Sequence, residues 1–209
     1  MNKTQIMSLL KIVNDKKLTS AQKEYEMGVA LQQMLHLENA KQKGSTYKKQ
    51  YQQAMKFLKG ISNSRPVLKF VDYQEGYQVF TNSHVLFKMK NHIEGLPFHD
   101  NENGVYPEVL SFVPNKSHAE NITDQFNHVD VLNKCDLMKI DKVAIPRCEK
   151  YLLQLKDAYL NPIYVKLVLD VLGVDNSKIE VYYQGNLRPI MFLNELGDEA
   201  VVVPVRFGD

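Results

Sequence analysis

Among 209 residues there are only two cysteines, Cys135 and Cys148, and neither belongs to a Cys-x-x-Cys pair or a Cys/His cluster. That argues against a zinc site, and so few thiols fit a reducing compartment. Nowhere does an apolar run approach the roughly 20 residues that a membrane-crossing helix needs. The start, Met1-Asn2-Lys3-Thr4-Gln5, carries no secretory pattern, because the apolar stretch behind it is short and broken by Lys11. A cytoplasmic protein is expected.

Chemical motifs are scarce as well. There is no HExxH, no GxGxxG, no GxxxxGK[ST] and no GxSxG. Of the histidines (His36, His84, His92, His99, His118 and His128) no pair stands at a helical ligand spacing beside a glutamate. His92, His99 and Asp100 share a loop and could bind a metal, but loop histidines are more often plain exposed polar residues. Cys148, near an expected helix start, has the position of an activated thiol; a core-packed cysteine is the reading preferred. The expectation is a protein that is not an enzyme and needs no metal and no cofactor.

Arginine is absent from the first 60 residues, which hold eleven lysines and four acids (Asp15, Glu24, Glu26, Glu38). Their net charge is +7, so with +2 overall the remainder is −5. A basic arm beside an acidic body can meet nucleic acid or an acidic partner. Lysine without arginine is weak evidence for specific phosphate recognition, since bidentate contacts favour arginine. Solubilised outer helix faces explain the lysines more simply.

What is present reads as α+β. Ile6, Leu9, Leu10 and Val13 share one helix face. Thr19 and Gln22 form a capping-box signature for a helix to about residue 40, with Met27, Leu31, Met34 and Leu35 inward. Past Gly44, the residues Tyr47, Tyr51, Ala54, Met55 and Leu58 mark a third helix, ended by Gly60. Strands are expected at 67–71, 77–80 and 85–89, with a turn at Gln74-Glu75-Gly76. Loops are expected at 94–104 and 115–128, a strand leading to a helix at 129–140, and a helix at 146–155 with Tyr151, Leu152 and Leu155 buried. Asn161-Pro162 and Gly173 bracket a final helix. Strands at 178–184, 187–193 and 199–207 close the chain.

The segment from Asn161 to Leu172, the following strand meander and the ending Val201-Val202-Val203-Pro204-Val205-Arg206-Phe207 resemble the C-terminal part of bacterial DNA polymerase III sliding clamps. Phe80-Thr81-Asn82-Ser83-His84-Val85-Leu86 is similar to a second clamp segment, and Tyr106-Pro107 through Val113-Pro114 to a third. The resemblance implies one sliding-clamp-like domain, 45–209, of antiparallel sheets with helices on one face; the helical arm, 1–44, matches nothing in the clamp. It implies a hydrophobic groove that takes a short clamp-binding motif of replication or transcription proteins. Carried over residue by residue, the groove comprises Thr81, Ser83, His84, Leu86, Pro107, Phe112, Val201, Val203, Pro204, Val205 and Arg206. The chain departs from the family at Val85, where clamps have arginine, at Asn82-Ser83, which replaces Asp-Gly, and at Gly208-Asp209 beyond the usual end. It has room for one clamp-like domain, built from two halves, and cannot encircle DNA alone. A dedicated clamp-like module, of the kind a phage or mobile element would carry, is the leading expectation. A DNA-binding protein using the lysine-rich arm and a decoy mimicking the host clamp are the alternatives, and the sequence leaves homo-oligomerisation open.

Overall fold

The structure, a computed structural model, describes residues 9, 10, 12–16, 19, 20, 22, 23, 27, 31, 48–100, 104–173 and 179–206. In the arm, the expected capping box is present. Gln22 Oε1 accepts from the Thr19 N–H at 2.9 Å, and Thr19 Oγ1 accepts from the Gln22 N–H at 3.3 Å. Ile6, Met34, Leu35, Tyr47 and Phe207, named above, lie outside the described residues.

Helix α1 is described over residues 48–59 and stops at Gly60, whose N–H is taken by the Lys56 and Phe57 carbonyls. The spacing of three and four puts Ala54, Phe57 and Leu58 inward, all buried, with Tyr51 and Met55 packed at the margin. A meander follows: β1 (Asp72–Gln74), β2 (Tyr77–Thr81) and β3 (Val85–Met89). The β1–β2 turn is Glu75-Gly76, both at positive φ (50° and 84°), as a two-residue hairpin turn with the right twist requires.

After a long connection come β4 (Glu120–Asn121), α2 (His128–Ile140), the small hairpin β5 (Leu153–Leu155) and β6 (Ala158–Leu160), and α3 (Pro162–Leu172). The second meander is β7 (Ile179–Tyr183), β8 (Ile190–Asn194) and β9 (Glu199–Val202). Helix α3 begins as its sequence dictates: Asn161 Oδ1 accepts from the Ile163 N–H at 3.0 Å, Pro162 fills the first turn, and Gly173 closes it at φ 65°.

The main sheet has seven strands in the order β1-β2-β3-β9-β8-β7-β4, every neighbour antiparallel. Omitting the two-residue β4, that order is a palindrome in the topology. A helix followed by a three-stranded meander (α1 with β1–β3) meets a second such unit (α3 with β7–β9). The two join edge to edge at β3 and β9, where Leu86 faces Val201 and Phe87 faces Ala200.

Register assigns the faces. Phe80, Phe87, Ala200, Phe192 and Val181 stand in successive paired positions, hence on one side. That side meets the helices. Phe57 of α1 lies 6.0 Å from Phe80 and 5.6 Å from Phe87, ring centre to ring centre, and α3 packs across β3, β8 and β9. Helix α2 packs on α3. The opposite side carries Thr81, Leu86, Val201, Met191 and Tyr182 in one row and Val79, Lys88, Glu199, Leu193 and Glu180 in the next. Residues 104–119 cross this second side as a strap. The Gln74 side chain fixes one end, donating to the Pro107 carbonyl at 2.8 Å and accepting from the Val109 N–H at 3.0 Å. Gln184 fixes the other, donating to the Asn115 carbonyl at 3.0 Å.

Several local expectations are corrected. Residues 66–69 form a 3₁₀ turn rather than a strand: Pro66 sits at its first position and only Leu68 is buried. The polar stretch 115–128 includes the edge strand β4 and two 3₁₀ turns, begun with Asn115 and Ile122. Residues 128–140 are wholly helical, capped by Asn127 Oδ1 accepting from the Val129 N–H at 2.9 Å. The helix expected at 146–155 is a 3₁₀ turn leading into β5. Leu152 and Leu155 are buried, Tyr151 only partly, and Cys148 is exposed rather than in the core. No helix among the described residues is long and apolar enough to cross a membrane.

Candidate functional site

The β2–β3 hairpin is held by its own side chains. Thr81 Oγ1 donates to the Val85 carbonyl at 2.8 Å and accepts from the Ser83 N–H at 3.0 Å. Asn82 Oδ1 accepts from the N–H groups of His84 and Val85, each at 2.9 Å. These bonds keep Ser83 in the left-handed region, φ 75°, which costs a non-glycine residue energy and is tolerated because four local bonds over-determine it. Outside the hairpin, His84 stacks on Tyr164 of α3 with ring centres 5.6 Å apart and planes 11° apart, and its carbonyl accepts from the Val203 N–H at 2.9 Å.

Beside this hairpin, over the seam between β3 and β9, lies a cleft of about 250 Å³. Its floor is Leu86 and Val201, which are buried; its strap side is Pro107, Val109 and Phe112; Thr81, Ser83, His84 and Val203 edge it, and Leu68 and Pro189 close it. No carboxylate lines it. Phe112 is 66% exposed and Val203 38%, so large apolar surface stands open to solvent at the mouth. An apolar concavity with a few polar groups at its edge suits a short hydrophobic segment. Its volume lies just under the roughly 300–1,000 Å³ of clefts that enclose a drug-sized molecule.

The structure thus brings together Thr81, Ser83, His84, Leu86, Pro107, Phe112, Val201 and Val203. It does not bring Pro204, Val205 and Arg206 to the lining. After Val203 the chain turns towards the small hairpin, where the Val205 N–H donates to the Tyr159 carbonyl at 2.7 Å; Pro204 is buried and Arg206 exposed. Leu68, Val85, Val109 and Pro189 also line the cleft and were not singled out from the sequence. Pro189 alone carried a local signal, as the residue entering β8 after an Asn186-Leu187-Arg188 turn.

A second cleft, of about 310 Å³, lies on the far side of the strap, lined by Glu75, Lys88, Leu110, Val113, Lys116 and Glu199 among others. Its lysines are paired: Lys88 with Glu199 at 3.0 Å, and Lys116 with the neighbouring Glu180 at 2.8 Å. Elsewhere, His92 Nε2 lies 3.2 Å from the Gly76 carbonyl, and buried His99 has Nε2 2.7 Å from the Gly104 carbonyl. Among the described residues no group of three His, Cys, Asp or Glu side chains is arranged to hold a metal. No protein-family model matches the chain, and no curated protein matches it.

Proposed function

We propose that this protein is a non-catalytic, sliding-clamp-like binding module. Its apolar cleft receives a short hydrophobic segment of a protein partner, of the kind that replication or transcription proteins present to clamps. The observation that carries the reading is convergence. Segments separated by about a hundred residues of sequence, Thr81–Leu86 and Val201–Val203, border one solvent-open apolar cleft together with Pro107 and Phe112. A plain core would close over such residues; here Phe112 and Val203 stay exposed at the mouth.

The test is a titration of ¹⁵N-labelled protein with a clamp-binding peptide. The backbone resonances of His84, Leu86 and Val203 shift in a saturable manner, while those of the β7–β4 edge stay in place. Absence of any shift at those three residues at millimolar peptide would overturn the reading.

A further inference from the structure

The rim of the cleft carries a charge that its floor does not explain. The whole chain has four arginines, Arg65, Arg147, Arg188 and Arg206, against a large excess of lysine. One of them, Arg65, stands at this cleft, and Arg188 is next in sequence to a lining residue. Arg65, three residues before the lining Leu68, is exposed and its Nη1 donates to Ser83 Oγ at 2.6 Å, which fixes the guanidinium beside the lining hydroxyl. Arg188 is exposed and immediately precedes Pro189, which also lines the cleft. Among the described residues neither arginine makes an ion pair with a carboxylate, whereas both lysines of the neighbouring cleft do. A guanidinium has five N–H donors in a planar fork, and Arg65 spends one on Ser83, leaving the rest for a carboxylate.

Resting on the peptide reading above, we infer that the cleft selects an acidic apolar segment: one or two large apolar side chains over Leu86 and Val201, flanked by Asp or Glu side chains that meet Arg65 and Arg188. Charge complementarity also disfavours the chain's own arm as the occupant, since residues 1–44 hold seven lysines against four acids. A nucleic-acid strand fits the arginines but not the lining, which offers Leu68, Leu86, Val109, Phe112 and Val201 and no lysine.

The experiment uses two peptides, acetylated and amidated so that no terminal charge contributes: a Leu-Phe core flanked on both sides by aspartate, and its twin with asparagine in those places. Binding to the full chain is read by fluorescence anisotropy of labelled peptide at low and high salt. The aspartate peptide binds roughly threefold to tenfold tighter at low salt, as an exposed charge pair gives, and the ratio falls towards one as salt screens it. Arg65→Gln and Arg188→Gln each lower the ratio, and the double variant removes it while the asparagine twin binds as before. Equal binding of the two peptides to the unaltered protein overturns the acidic selection and leaves the groove standing. Binding of neither peptide overturns both. Displacement of the aspartate peptide by a short oligothymidylate at comparable concentration overturns the choice of a protein partner.

Discussion

Among the described residues Asn194 makes four side-chain hydrogen bonds, more than any other buried polar side chain, and does so at the end of β8. Its Oδ1 accepts from the N–H groups of Leu196 and Asp198; its Nδ2 donates to the Leu172 carbonyl at 3.0 Å and to Asp198 Oδ2. Asp198, fully buried, then accepts from the Asn91 N–H at 2.7 Å. One amide therefore satisfies the β8–β9 turn, the last turn of α3 and, through Asp198, the end of β3. Asn194→Ala strands the Asp198 N–H and the Leu172 carbonyl in a buried site, where each unmet partner costs about 1–3 kcal/mol, and frees the Leu196 N–H at its margin. The expected loss is about 2–4 kcal/mol in urea-induced unfolding. A midpoint unchanged from the parent would show that water replaces the amide without penalty. Val203 asks the opposite question. It is 38% exposed and lines the cleft, so Val203→Asp should leave the fold nearly intact, within roughly 0.5 kcal/mol, as ordinary surface changes do. The same change puts a carboxylate on an apolar contact surface, and peptide affinity should fall tenfold or more. Equal affinity of parent and variant would remove Val203 from the site.

At the scale of elements, the two meander helices are tied to each other as well as to the sheet. Asp170 of α3 receives Lys49 of α1 at 2.8 Å and Lys166 of its own helix at 2.5 Å. Burial raises its pKa and the two ammonium donors lower it, and the donors prevail, so the carboxyl titrates below the ordinary aspartate range. The sign follows. A depressed folded-state pKa stabilises fully above the unfolded pKa, and that contribution is lost as the pH falls through the folded one. Asp170→Asn should cost about 1 kcal/mol at neutral pH, little more because Lys49 is largely exposed and Lys166 partly so, and should flatten the acid limb of the stability–pH curve. Chemical denaturation at a series of acidic pH values checks this; parallel acid limbs for parent and variant would exclude the ion pair as the source.

The same scale shows what was legible in the residues. Helices with chemical punctuation could be read: Thr19 with Gln22, Asn161-Pro162 with Gly173, and the three-and-four spacing into Gly60 all correspond to observed helix ends. Short apolar runs could not, because a run of four or five residues has no decisive period. Leu152 and Leu155 suited a helix face, yet Leu153 and Leu155 face inward from β5, and the turn that follows uses Lys156 at φ 54° where a glycine would have signalled it. Val67-Leu68-Lys69 looked like a strand, but Pro66 commits the chain to a 3₁₀ turn. The cleft was legible only through resemblance. Nothing in Thr81–Leu86 or Val201–Val203 alone states that they are neighbours, since pairing of strands over a hundred residues apart leaves no local trace. The contributions of Leu68, Val109 and Pro189 depend on that distant pairing too.

On the scale of the whole molecule, the palindromic sheet order raises the question whether each helix-and-meander unit stands alone. The burial argues that it does not. One apolar cluster runs from Ala54, Phe57 and Leu58 of α1 through Phe80 and Phe87 to Val171 of α3, Phe192, Ala200 and Val202. Separating the units would uncover Leu86, Phe87, Val201 and Ala200 along the β3–β9 seam and leave two new sheet edges with unpaired backbone groups. Each unit alone would bury a smaller fraction of its surface than the whole chain and would keep only part of the shared core. Polypeptides 1–103 and 104–209, prepared separately, should therefore each lack a cooperative unfolding transition, while the intact chain unfolds in one step by circular dichroism and by calorimetry. The cleft gives this a functional edge. Its floor takes Leu86 from one unit and Val201 from the other, with the strap laid across both. Neither polypeptide should bind peptide by itself, and mixing the two should restore binding in step with regained secondary structure. A cooperative transition in either separate half would show that the seam joins two finished domains, and the cleft would then be an interface that opens and closes between them.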